Sequence, residues 1–157
     1  MAELSNGQRR MEEDNARVVG LQTCEASRAP MKIQNQLNAN INYGFVGDRH
    51  AKENGKRQIL ILDKEILDRF DLPVGALREN ITVENAAVQQ MEKGTRISLG
   101  SEVILEITGD CPPCSRMDEI REGLQDQLVG QRGVLARVIE GGTVRTGESI
   151  SLIGQST

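Results

Sequence analysis

The apolar residues of this chain fall in short runs broken by turn formers, and that pattern confines it to a fold built mainly from strands. The stretch Arg57-Gln58-Ile59-Leu60-Ile61-Leu62 is continuously apolar after its first two residues and polar on either side. A strand buried on both faces reads this way. Residues 102–108 alternate instead, with Val103, Leu105 and Ile107 on one side. Arg17-Val18-Val19-Gly20-Leu21, ending near Cys24, and residues 133–140 are further strands. Residues 80–83, 95–99 and 149–153 are shorter ones. Gly141-Gly142 and Gly147 mark turns between them. Two helices are expected. Asp63 can cap the first, which runs to Phe70 with Ile66, Leu67 and Phe70 on one side and stops at Leu72-Pro73-Val74-Gly75. Ser115-Arg116-Met117-Asp118 has capping-box spacing for the second, whose Met117, Ile120, Leu124 and Leu128 recur helically until Gly130. The expected fold is mainly β with a few short helices: a closed or strongly bent β-barrel, mixed or antiparallel.

The length of 157 residues suits one domain. Residues 1–16 are polar without periodicity and read as a flexible tail, leaving 17–157 as the domain. Residues 25–56 hold few apolar groups and read as a long loop with one short strand near 31–33. A loop of that length is more often functional than idle.

Three bulk features exclude partners. The net charge of −4 gives no general attraction to nucleic acid or to an anionic membrane. Two Phe, one Tyr and no Trp leave no platform for stacked bases. No apolar stretch approaches a membrane span or a signal-peptide core, so the expected location is cytoplasmic. Three cysteines do not make a secreted disulfide framework.

The chemistry centres on Cys111-Pro112-Pro113-Cys114. A helix beginning at Ser115 would place Cys114 where partial positive charge favours a thiolate. Such a sulfur can be a nucleophile, a sulfur carrier or a soft metal ligand. It can equally be a small buried hydrophobe. Cys111 completes a C-x-x-C, which by spacing alone is a weak sign of a redox pair or half of a zinc site. In Gly47-Asp48-Arg49-His50 the Asp can brace a neighbouring backbone, while Arg49 and His50 offer donors to an anion or are simply solvated. Arg78 and Asn80 can grip a phosphate or a ring edge, or Arg78 can pair with Glu79 or Glu84. Arg132, before Gly133, can point to the same site or lie in solvent.

Taken in order, these motifs resemble a known family. They are Gly47-Asp48-Arg49-His50, Arg57-Gln58-Ile59, Pro73-Val74-Gly75-Ala76-Leu77-Arg78-Glu79-Asn80-Ile81, Gly94 with Leu99-Gly100, Pro113-Cys114, Arg132-Gly133-Val134, and Gly141-Gly142 with Gly147-Glu148. The series resembles the MOSC domain, named for the C-terminal domain of molybdenum cofactor sulfurases. The resemblance implies a β-barrel with a few helices and an association with the molybdenum cofactor (molybdopterin) through Cys114. It implies that Cys114 ligates molybdenum or accepts sulfur. Arg49, His50, Arg78, Asn80 and Arg132 would then serve the pterin and phosphate. Cys111 stands where relatives often carry a basic or large polar residue, and Ser115 where many carry an aromatic.

Three functions follow as expectations. The first is a module that binds or carries the cofactor, or its sulfur, through Cys114. Its partners would be a cysteine desulfurase-type sulfur donor, a molybdoenzyme or an electron-transfer protein. The second is a small molybdenum-dependent reductase of N-hydroxylated compounds. The third is a barrel with no cofactor role, stabilised by zinc on Cys24, Cys111, Cys114 and His50.

Overall fold

The computed structural model describes residues 15–153. Of the expected tail over 1–16, residues 1–14 lie outside that range. Ala16 is buried, and its carbonyl accepts from the Ile150 N–H.

Eleven strands are present among the described residues: β1 (Arg17–Thr23), β2 (Lys32–Gln34), β3 (Gln36–Asn40), β4 (Gly44–Phe45), β5 (Ile59–Asp63), β6 (Ile81–Glu84), β7 (Arg96–Leu99), β8 (Val103–Asp110), β9 (Val134–Glu140), β10 (Gly142–Arg145) and β11 (Ile150–Leu152). The helices are single turns or little more: α1 (Lys64–Arg69), α2 (Met117–Ile120) and α3 (Leu124–Gln127), with a 3-10 turn at Val88–Gln90.

The apolar run of β5 is central for the reason its sequence gives. It pairs with β6 in parallel on one edge and with β9 antiparallel on the other, and its residues are buried on both faces, Leu60 alone being half-buried. In β8, Val103, Leu105 and Ile107 face the core while the residues between them are half exposed. Eight strands form one sheet in the order β11-β7-β8-β9-β5-β6-β1-β2, and β10-β3-β4 form a second. Twenty-two buried residues, from Ala16 to Ile150, make one core cluster around these strands. Burying each large aliphatic among them contributes roughly 1.5–3 kcal/mol. A second cluster, with Leu62, Ile66, Leu67, Leu77, Met117, Leu124 and Leu128, seats the three helices against one end of the sheet.

Five expectations need correction. Neither sheet closes into a barrel by a strand ladder: in the larger one, β1 meets the segment before β11 through an isolated bridge between Arg17 and Ser149 and through backbone hydrogen bonds between residues 16–18 and 147–150. The stretch 25–56 is not a loop with one strand but holds β2, β3 and β4. Leu37 and Ala39 alternate into the core there, yet Gln and Asn between them hide the period, and the ladder partner is the distant β10. Gly142, expected in a turn with Gly141, opens that partner strand. The helix expected after Ser115 is broken into α2 and α3 at Gly123, whose φ is +85°. No capping box forms: Arg116 occupies the N-cap position without a side-chain cap, and Asp118 instead accepts from the Gln125 N–H. Asp63 does sit at the N-cap of α1, but its carboxylate accepts from the N–H groups of Val88 and Gln89.

Candidate functional site

Three loops and the entrances of two central strands meet around a cavity of about 160 Å³. The loop after β4 supplies Arg49 and His50, and the entrance of β5 supplies Arg57 and Leu60. The turn before β6 supplies Arg78 and Asn80. The segment between β8 and α2 supplies Cys111, Cys114 and Arg116. The entrance of β9 supplies Arg132 and Leu135. All six residues singled out from the sequence, Arg49, His50, Arg78, Asn80, Cys114 and Arg132, therefore line one space.

The cavity's charge is one-sided. Five arginines and one histidine line it, and no carboxylate does, although the chain as a whole carries −4. Like charges so placed repel, and an anion between them removes that repulsion. Arg132 is the clearest case. It is only 6% exposed, and its Nε and Nη1 find no hydrogen-bond partner among the described residues. Burial pulls its pKa below the ordinary arginine value. Negative charge at Cys111, Glu79 and Cys114 works the other way, and Arg57 adds repulsion. Buried donors of a charged group are rarely left unpaired, so the structure carries an orphaned cation where a ligand would satisfy it.

The wall behind the cavity is braced by two buried carboxylates. Asp48 accepts from the N–H groups of Cys24 (2.7 Å) and His50 (3.2 Å) and from the Asn80 amide (3.1 Å). Burial alone would raise its pKa. The hydrogen bonds from His50 and Cys24 and the nearby histidine charge outweigh burial and hold it below the ordinary value. Glu79 accepts from the N–H groups of Gly75 and Leu77 and from the Thr82 hydroxyl. Its burial prevails over those bonds and over the charge of Arg132, and its pKa is raised.

These contacts assign different tasks to the sequence candidates. Asn80 donates both amide hydrogens inward, to the Gln22 carbonyl and to Asp48, and accepts from the Leu60 N–H. It shapes the wall. Arg78 pairs with neither Glu79 nor Glu84; its Nη2 donates to the Cys24 sulfur at 2.9 Å, from a backbone held at φ +62°. His50 is half exposed, with Nδ1 3.7 Å from Asp48. Cys114 is exposed and Cys111 buried, and all three cysteines are free. Arg57 and Arg116 were missed as site residues. Arg57 lies two residues before β5, a strand buried on both faces, so a cation there has to turn toward an opening, and its position was readable in that sense. Nothing near Arg116 distinguished it from a solvated arginine.

Among the described residues, no three His, Cys, Asp or Glu side chains stand where they could hold a metal ion. Cys24, tied to Arg78 and to the Ala26 carbonyl, is not among the residues that line the cavity with Cys111 and Cys114. A structural zinc on Cys24, Cys111, Cys114 and His50 has no support.

The chain is thus a mainly β scaffold with a free, exposed thiol beside an acid-free, arginine-lined cavity. The chain belongs to the MOSC domain family, whose profile matches residues 48–151. Solved structures share its fold. The YuaD protein from Bacillus subtilis aligns with a TM-score of 0.72 at 22% identity, over 86% of this chain and 93% of that one. YiiM from Escherichia coli gives 0.66 at 15% identity, over 91% and 70%. YiiM from Geobacillus stearothermophilus gives 0.63 at 16% identity, over 89% and 74%. No curated protein sequence matches the chain. Membership connects the protein, at the level of the family, with the molybdenum cofactor. Among the described residues no helix is long and apolar enough to cross a membrane.

Proposed function

We propose that the protein binds or carries the molybdenum cofactor, or its sulfur, through Cys114. The observation that carries this reading is the buried, unpartnered Arg132 in an acid-free cavity that also contains Cys114. The residues fit the group. Arg49, Arg78 and Arg132 match its anionic oxygens, and His50, steadied by Asp48, adds a donor. The Cys114 sulfur matches a soft metal or a sulfane sulfur. Asn80 acts indirectly, by fixing Asp48 and the Leu60 backbone. The cavity is smaller than the roughly 300 Å³ of ordinary small-molecule sites, so it suits the charged end of the cofactor and not the whole of it. When bound, the group would supply a redox-active metal and an acceptor for thiolate sulfur. A cysteine desulfurase-type donor, or a molybdoenzyme awaiting the cofactor, is the kind of partner this chemistry requires.

The test is co-production with a cofactor-synthesising host, followed by metal analysis and by detection of the oxidised pterin. Molybdenum and pterin in equal amounts, both lost in Cys114→Ser, support the reading. Protein free of both, or a Cys114→Ser variant that keeps both, overturns it.

A further inference from the structure

Cys111 and Cys114 line the same cavity, three residues apart, and neither is in a disulfide. A C-x-x-C pair of that kind ordinarily closes on itself when oxidised. Here the intervening residues work against closure. Pro112 and Pro113 each hold φ near −65°, and a residue before proline is kept out of the helical region. That restriction falls on Cys111 and on Pro112 alike. Residues 111–114 accordingly form neither helix nor turn. A segment held in polyproline geometry rises roughly 3.1 Å per residue, which would set its ends about 9 Å apart over this span. A disulfide needs the two Cα atoms within about 6.8 Å. Proline as the third residue of an ordinary tight turn is also disfavoured, which removes the simplest way to bring the ends together. Both ends are pinned: the Cys111 N–H donates to the Gly133 carbonyl, and the Cys114 carbonyl accepts from the Met117 N–H.

We infer that Cys114 is a modification site for anionic low-molecular-weight thiols, and that Pro112-Pro113 keeps the adduct from being removed by Cys111. The exposed Cys114, once deprotonated, attacks one sulfur of a small disulfide. A Cys114–thiol mixed disulfide forms, the small disulfide's S–S bond breaks, and one equivalent of small thiolate leaves with the electron pair. The small disulfide is the oxidant, and no other is needed. Release within the chain would require Cys111 to attack Cys114 and expel the second small thiolate, the step that the proline pair disfavours. Selection for an anionic thiol comes from the cavity itself. Arg132 is buried with two donors unpartnered, and Arg49, Arg57, Arg78 and Arg116 line the same space with no carboxylate among them. The inference does not depend on a molybdenum cofactor ever occupying the cavity.

Glutathione disulfide and cystamine, one anionic and one cationic, are the probes, with adducts read by intact-protein and peptide mass spectrometry. The expected result is a single glutathione on Cys114, absent in Cys114→Ser, with a lifetime the same in wild type and in Cys111→Ser. Replacing both prolines (Pro112→Gly with Pro113→Ala) should shorten that lifetime at least tenfold, with a Cys111–Cys114 disulfide as the product. Relative to their rates with free cysteine, glutathione disulfide should react faster than cystamine at low salt. Four outcomes would overturn the proposal: no adduct on Cys114; wild-type protein that closes its own disulfide; a proline-free variant as long-lived as wild type; or cystamine reacting faster. Because the molybdenum content of these samples is measured separately, failure here is distinguishable from failure of the cofactor reading.

Discussion

Replacing Arg132 by methionine should make the ligand-free protein more stable and blind to anions. The side chain is almost wholly buried, and its Nε and Nη1 have no partner. Each buried donor left unsatisfied costs about 1–3 kcal/mol, so the pair costs roughly 2–6 kcal/mol. Against this stand a lost attraction to Glu79 and some lost packing. Glu79 keeps all three of its own donors, from Gly75, Leu77 and Thr82, when Arg132 is gone. Methionine restores most of the volume with a flexible apolar chain. A net gain of about 2 kcal/mol is expected, in line with other replacements of buried charge by apolar groups. For a domain of this size that raises Tm by roughly 4–8 °C. The assay is thermal unfolding with and without inorganic phosphate. At about ten times Kd, phosphate should stabilise the wild type by about 1.4 kcal/mol and the variant hardly at all. A variant less stable than wild type without anion, or one that responds to phosphate equally, would refute the reasoning.

Three further outcomes follow from the same geometry. Burial pushes the Asp63 pKa up to about 6 against donors from Gln89 and Val88. The folded state therefore holds this proton more tightly than the unfolded one, so its burial penalty is present above about pH 6 and is relieved as pH falls toward 4. Wild type should gain stability relative to Asp63→Asn across that window, measured by urea midpoints. At Asp48 the sign is reversed: its pKa is held down, so its contribution is present at neutral pH and is lost as pH falls through the depressed value. Asp48→Ala should cost about 1–3 kcal/mol at pH 7, and hydrogen exchange should show faster opening at Cys24 and His50, the residues whose N–H groups it accepts. Gly133→Ala should cost roughly 2 kcal/mol or more. Its φ is +106°, and a Cβ there would stand 2.8 Å from the Ile61 carbonyl oxygen; the unfolding midpoint measures it, and phosphate response should fall as the adjoining Arg132 shifts.

Much of this architecture was legible because its strongest elements carry their own period. The unbroken run of β5 and the alternation of β8 reported burial on two faces and on one. Strands β3 and β10 were not legible. They are short and polar, and each pairs with the other from about a hundred residues away, β3 adding only the two-residue β4 on its far side. The capping readings failed at both helices for one reason. Asp63 and Asp118 found backbone donors in neighbouring segments, which local spacing does not report. In the site, Cys114 and the arginines could be named from ordered motifs, and the cavity gathers them. Their separate tasks could not be named. Only the contacts distinguish Asn80, whose hydrogens are spent on the wall, from Arg132, whose donors are free for a ligand.

The most direct test of the central claim is X-ray absorption at the molybdenum edge of protein isolated from a cofactor-making host. If the Cys114 sulfur holds the metal, the sulfur coordination of wild type should exceed that of Cys114→Ser by one ligand. Cyanide treatment, which removes sulfane sulfur, should leave that ligand in place. If instead Cys114 carries sulfur, cyanide should release thiocyanate from wild type alone. Protein with no molybdenum and no cyanide-labile sulfur on Cys114 would contradict the account.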